Sequence, residues 1–299
     1  MKTMIKTALL LAAAALAASG CKEQGPVELI DDGLSGTIEI VSPPPTPMPG
    51  MELGDEDSAG IVPLPPEKIS GHILVAGARY DGPLFSAEAN VSRAIFLDRS
   101  SPVHLSMNRI TYHTIDVGSV DLNGTPLLEV DKRVRFMSID TLLGPQYVLY
   151  NRWPDGFRYA GGELYRWTGT GNEAVSPFTA DIVAPPAIVV QNLTPSTAIP
   201  LDEGLRIRWT GGGATVQLVI SQAGDLRVDA RPILHLRLGP NRGGIVIPPR
   251  ILALLPHDRN RFIFTFFSGA AKIARIDGYP DDVLVQALTS HSIAVQVSR

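Results

Sequence analysis

Six histidines, one cysteine and thirty carboxylates are the groups from which a catalytic or metal site could be built in this sequence. A metal site needs His, Cys, Asp or Glu gathered at ligand spacing. His72, His104, His113, His235, His257 and His291 are never closer than nine residues, and neither HExxH nor CxxC occurs. His235 and His291 sit inside apolar runs and read as core or edge residues. Asp55-Glu56-Asp57-Ser58-Ala59-Gly60 opens like a calcium loop, but Ala59 takes a ligand position and Pro66 stands where a bidentate Glu is required. A serine hydrolase needs a Ser, a His and an acid brought together. Ser100, Ser101 and His104 are neighbours, but Pro102 between them points to a turn, and G-x-S-x-G is absent. Gly169-Thr170-Gly171-Asn172-Glu173-Ala174 fits G-x-G-x-x-A. A dinucleotide site needs a helix directly after that motif, and Val175-Ser176-Pro177 follows instead, so a hairpin turn is expected. No spacing singles out a carboxylate pair for glycoside hydrolysis. The residues imply no catalytic set, no metal and no cofactor.

The remaining candidates are aromatic. Tyr147, Tyr150, Trp153, Phe157 and Tyr159 form the densest aromatic cluster, and Tyr150-Asn151-Arg152-Trp153-Pro154-Asp155-Gly156 reads as a strand leaving into a turn. A binding loop built on Trp153, Tyr150 and Tyr159 could stack on sugar or pack on a protein. The plainer reading is that Trp153 caps a core.

The lone cysteine lies at the end of a distinctive start. Lys2 and Lys6 precede an apolar run from Thr7 to Ala18, too short to cross about 30 Å of hydrocarbon as a helix. Ala18-Ser19-Gly20-Cys21 follows. This ending resembles the lipobox of bacterial lipoproteins, with Ala18 where Leu is usual. The resemblance implies cleavage after residue 20, a diacylglycerol on the Cys21 thiol and, with Lys22 next in line, sorting to the outer membrane. An ordinary secretory signal with an incidental cysteine is the alternative. Several acyl chains anchor firmly where one is marginal.

Residues 21–68 then read as a tether. They carry ten acidic and two basic residues between 22 and 68, and eight prolines between 43 and 66. Such a composition favours an extended, solvated chain. Leu34 to Val41 alternates weakly, as a short strand would. From residue 69 the texture changes to short Val-, Ile-, Phe- and Tyr-rich runs between Gly, Pro, Asn and Asp turns. Arg206-Ile207-Arg208-Trp209 and Arg133-Val134-Arg135-Phe136 alternate charged with apolar residues, which suits a sheet with one wet face. Sixteen candidate strands and one short helix, Pro249 to Leu255, give an all-β body. Ala184-Pro185-Pro186 divides it into two antiparallel β-sandwiches, 69–185 and 186–299. Arg166-Trp167-Thr168-Gly169 and Arg208-Trp209-Thr210-Gly211 echo one another. Their flanks do not match, so the echo reads as two strands that each end in a Gly turn after a core Trp.

The run Gly162 to Pro185, with Pro177-Phe178-Thr179-Ala180, then Leu205 to Gly213 and Ile247 to Pro256, resembles uncharacterised secreted bacterial proteins with tandem β-sandwich modules. It covers about residues 115–297 and implies Ig-like or fibronectin-like modules without known catalytic residues. The expected function is therefore a non-enzymatic envelope lipoprotein whose partners are the membrane, through its lipid, and an envelope protein or a glycan. A structural role in an envelope complex and a cryptic glycan or peptide hydrolase are the alternatives. The basic excess of the last third is too diffuse for nucleic acid.

Overall fold

The computed structural model describes residues 37–41, 69–106, 109–136, 139–150, 157–200, 202–222, 230–258 and 260–298. In chain order the elements are β1 (Thr37–Ile40), β2 (Ile69–Asp81), β3 (Ser86–Ser106), β4 (Arg109–Thr114), β5 (Val120–Leu122), β6 (Thr125–Pro126), β7 (Leu128–Phe136), β8 (Ile139–Tyr150), β9 (Leu164–Gly169), β10 (Phe178–Val183), β11 (Val189–Val190), β12 (Ala198–Pro200), β13 (Leu205–Thr210), β14 (Val216–Gln222), β15 (Arg231–Gly239), β16 (Gly244–Ile247), α1 (Pro249–Leu252), β17 (Arg261–Arg275) and β18 (Asp282–Ser298). The all-β class follows from period-two runs of β-branched and aromatic residues. In β13 the alternation buries Ile207 and Trp209 and exposes Arg206 and Arg208.

One large sheet runs β1-β15-β14-β17-β18-β2-β3-β8-β7, with β12 on β18 and β4 on β3. Two smaller sheets, β10-β9-β5-β6 and β11-β13-β16, complete the set. There are two cores. The first gathers Phe96, Tyr147, Trp167 and Val285, and the second Trp209, Leu236, Phe264 and Val295. Alternation places both on the same face of the large sheet, since Val285, Ile293 and Val295 are all odd-numbered residues of β18.

The expected boundary at Ala184–Pro186 falls between the strands that cover the two cores, and β18 reaches both of them. Residues 283–287 of β18 pack in the first core and residues 293–297 in the second. The sequence is broken into shorter runs at Ser268-Gly269-Ala270-Ala271, yet β17 is continuous, because every residue from Arg261 to Arg275 pairs with β18. The expected antiparallel pairing is also incomplete: β18 runs parallel to β2 and to β12. The architecture is two sandwich lobes fused through shared strands.

The expected tether is interrupted as well. β1 forms an antiparallel ladder with β15, and Ile38 enters the second core at 0% exposure. The sequence offers Ile38 and Ile40 as one apolar face, and the β15 edge supplies the partner. Ile38→Ala is expected to lower stability by about 2 kcal/mol in urea unfolding; a solvated linker residue would give a change near zero.

The Trp-containing echo extends beyond sequence. Leu122 pairs opposite Trp167, and Val190 opposite Trp209. Asn123 accepts from the Arg166 amide and donates to the Leu164 carbonyl; Asn192 accepts from the Arg208 amide and donates to the Arg206 carbonyl. The same asparagine bracket thus holds both Trp strands, although the surrounding residues differ.

Candidate functional site

Between the two cores the sheet face turns polar. Ser268 of β17 and Thr289 and His291 of β18 occupy the row where apolar residues would otherwise continue, and all three are buried. The partners of Thr289 and His291 lie on the segment that crosses from one lobe to the other. Thr289 Oγ1 accepts from the Ile188 amide at 3.0 Å, and His291 Nδ1 accepts from the Val190 amide at 2.9 Å. The spacing i, i+2 on β18 meets the spacing i, i+2 on the crossing chain, so two side chains replace a missing ladder. Ser268 Oγ accepts from the Gly213 amide and donates to the Thr215 carbonyl. Buried amides need such acceptors, because leaving one unmet costs about 1–3 kcal/mol.

His291 and Asp81 have the look of a catalytic dyad. The imidazole is 1% exposed, and its Nε2 lies 2.8 Å from Asp81 Oδ2. Val190 can only donate, so Nδ1 carries the lone pair and Nε2 carries the proton. Both nitrogens are therefore engaged within the fold. Burial lowers the His291 pKa against the opposing pull of Asp81. Burial pulls Asp81 upward, but hydrogen bonds from Ser86, His291 and Arg79 outweigh it and hold its carboxyl below the usual value. This is a neutral histidine used as a clamp.

The other candidates are consumed in similar ways. His72 Nε2 meets Gln286 Oε1 at 2.7 Å, and His235 Nε2 meets Gln217 Oε1 at 2.7 Å. Burial, with help from Arg93, lowers the His72 pKa to about 4. Ser100 donates its hydroxyl to Asp98 at 2.6 Å within β3, where the pairing with β4 skips from Asp98 to Pro102, so the turn expected at Pro102 is an irregularity in a continuous strand. Asn172 accepts from the Ala174 and Val175 amides, and Gly171 has φ +69°, so the glycine-rich run is the β9–β10 hairpin turn. Among the described residues no three His, Cys, Asp or Glu side chains gather around a metal position.

No family model and no curated protein matches the chain.

The aromatic candidates are separated by the fold. Cys21 and Trp153 lie outside the described residues. Tyr150 ends β8, 38% exposed, opposite Val91 and on the face away from the cores. Tyr159 lies on the core face. Its ring covers Gly77, where an added Cβ would come within 2.5 Å of it, and its hydroxyl donates to the Pro185 carbonyl at 2.8 Å. Tyr159 therefore braces the crossing segment, and burial raises its pKa.

Sequence reasoning passed over a second exposed group. Gly82 donates to the Phe85 carbonyl at 3.0 Å, so Pro83 and Leu84 crown the β2–β3 hairpin. Leu84 is 80% exposed and Phe85 43%, and the Tyr80 and Phe85 rings lie 5.5 Å apart. The signal was present in Tyr80-Asp81-Gly82-Pro83-Leu84-Phe85, where a Gly-Pro turn carries apolar residues that no turn requires.

Proposed function

We propose that the chain is a bacterial envelope lipoprotein, anchored through Cys21, that works by contact and not by catalysis. The observation that carries this reading is where the chemistry-bearing groups stand. His72, His235 and His291 are spent on bonds within the fold, whereas large side chains stand exposed at the β2–β3 turn, Leu84 and Phe85, and at the end of β8, Tyr150. Apolar side chains exposed together mark protein, membrane or ligand contacts. The lipobox-like ending at Cys21 supplies the anchor.

Two measurements test it. Mass spectrometry of the protein from its own membranes is expected to find the N-terminal peptide beginning at an acylated Cys21; a free thiol or another cleavage point refutes the anchor. A photo-crosslinking residue at Tyr150 is expected to yield discrete adducts with an envelope protein or glycan in cells, weakened by Trp153→Ala. Absence of adducts from Tyr150 refutes the contact surface.

A further inference from the structure

We infer that the β2–β3 crown is a second, protein-borne contact with the lipid surface, a reading that rests on the proposed anchoring at Cys21. The crown has the composition of an interfacial probe. Pro83 has no N–H, Leu84 offers only an aliphatic side chain, and Phe85 stands beside them with the Tyr80 ring against it. A hydrocarbon boundary accepts an apolar point without a matching pattern, with the phenol of a tyrosine at headgroup level.

The crown is also held rigidly. β2 and β3 pair up to Asp81 and Ser86, and Asp81 is fixed to buried His291 and to Arg79 at 3.1 Å. Burying the tip therefore costs little ordering. The charges at its base are Arg79, its partner Asp81, and Glu88 opposite Arg79 in register, a net of one negative charge. Attraction to the membrane is then apolar and not electrostatic.

Reach decides that the contact can form. Because β1 is part of the body, only fifteen residues separate Cys21 from Thr37, an extended span of about 50 Å at most. β1 and β2 are five strand steps apart in the sheet, about 24 Å at ~4.8 Å per step. The anchor keeps the crown within reach of the bilayer and raises its effective concentration there, adding to the crown's own affinity.

The test uses the mature chain carrying Cys21→Ser, which removes the lipid and the only thiol. An environment-sensitive fluorophore is placed at Leu84→Cys and, as a control, at exposed Thr125→Cys. Phosphatidylethanolamine–phosphatidylglycerol vesicles are expected to blue-shift the probe at 84 and not at 125. In the unlabelled Cys21→Ser chain, Leu84→Asp with Phe85→Ser is expected to lower the vesicle-bound fraction about tenfold, as lost burial of such side chains implies. Binding should survive high salt and omission of phosphatidylglycerol. An absent shift, or loss of binding in salt, overturns the inference. A shift on raising protein concentration without lipid would assign the crown to a second copy, and one produced only by solubilised envelope protein would assign it to a protein; each overturns it. Acylation at Cys21 is read separately by mass, so either reading can fail alone.

Discussion

Gly211→Ala is expected to destabilise the protein by about 4 kcal/mol, among the largest effects of any single methyl group in the chain. Two costs combine. Gly211 has φ +77°, a left-handed conformation that costs an L side chain about 1–2 kcal/mol. Its added Cβ would also lie 1.9 Å from the Ala187 carbonyl oxygen, a backbone atom that cannot swing aside. The segment Pro186–Ala187 passes between Gly211 on one lobe and Gly161 on the other, where an added Cβ would be 2.3 Å from the Ala187 nitrogen. Gly212 donates to the Pro186 carbonyl at 2.8 Å, so the approach is bonded as well as close. Gly124 supplies the reference: its φ is +79° and nothing lies within 4 Å of its added Cβ. Gly124→Ala should cost only the conformational part, about 1–2 kcal/mol. Urea midpoints of the two variants separate the costs. Equal midpoints would mean that the crossing segment does not run between these glycines. Because β17 and β18 serve both cores, the Gly211→Ala loss should appear in one shared transition.

The seam also marks where the sequence stops being informative. Strands that sit wholly within one lobe were legible: Phe178–Val183, Leu205–Thr210 and Gly244–Ile247 lie where alternation and flanking turns put them. The start of α1 at Pro249 was legible for the same local reason. The long strands were not, because Ser268-Gly269-Ala270-Ala271 has weak strand propensity and is carried by its β18 partners. The parallel β2–β18 pairing joins residues more than two hundred positions apart, and alternation tells which face a residue takes, not which strand lies beside it. β1 shows the same limit: its short alternation was visible, but its Pro-rich and acidic flanks argued for a linker, and β15 overrode them. Among the aromatic candidates, spacing could not reveal that Tyr150 and Tyr159 take opposite faces. His291 was legible as a core residue; its bonds to Val190 and Asp81 were not, since they depend on where the crossing segment lies.

Those buried histidines make the fold acid-labile in a definite window. His72, His235 and His291 all have folded pKa values below the ordinary 6.5, each chiefly through burial. The unfolded chain therefore takes up protons first as pH falls. Stability should be flat above about pH 7, decline as pH falls through 6.5, and stop declining on this account below the folded values. His72, with a folded value of about 4, contributes on the order of 2–3 kcal/mol across that interval, and the other two add to it. Asp81 acts in a different range: its lowered carboxyl supplies stability that is lost only below the usual carboxylate pKa. The histidines also differ in what protonation breaks. A proton on His291 Nδ1 would face the Val190 amide, donor against donor, and release the crossing segment. A proton on the free His72 nitrogen adds charge beside Arg93. His72→Gln keeps a polar side chain toward Gln286 but cannot titrate, so it should flatten the decline by about one proton's slope between about pH 6.5 and pH 4. Urea unfolding across that range reads the slope directly. A wild-type stability that does not fall with acid in this interval would mean that these imidazoles are not buried in their neutral form.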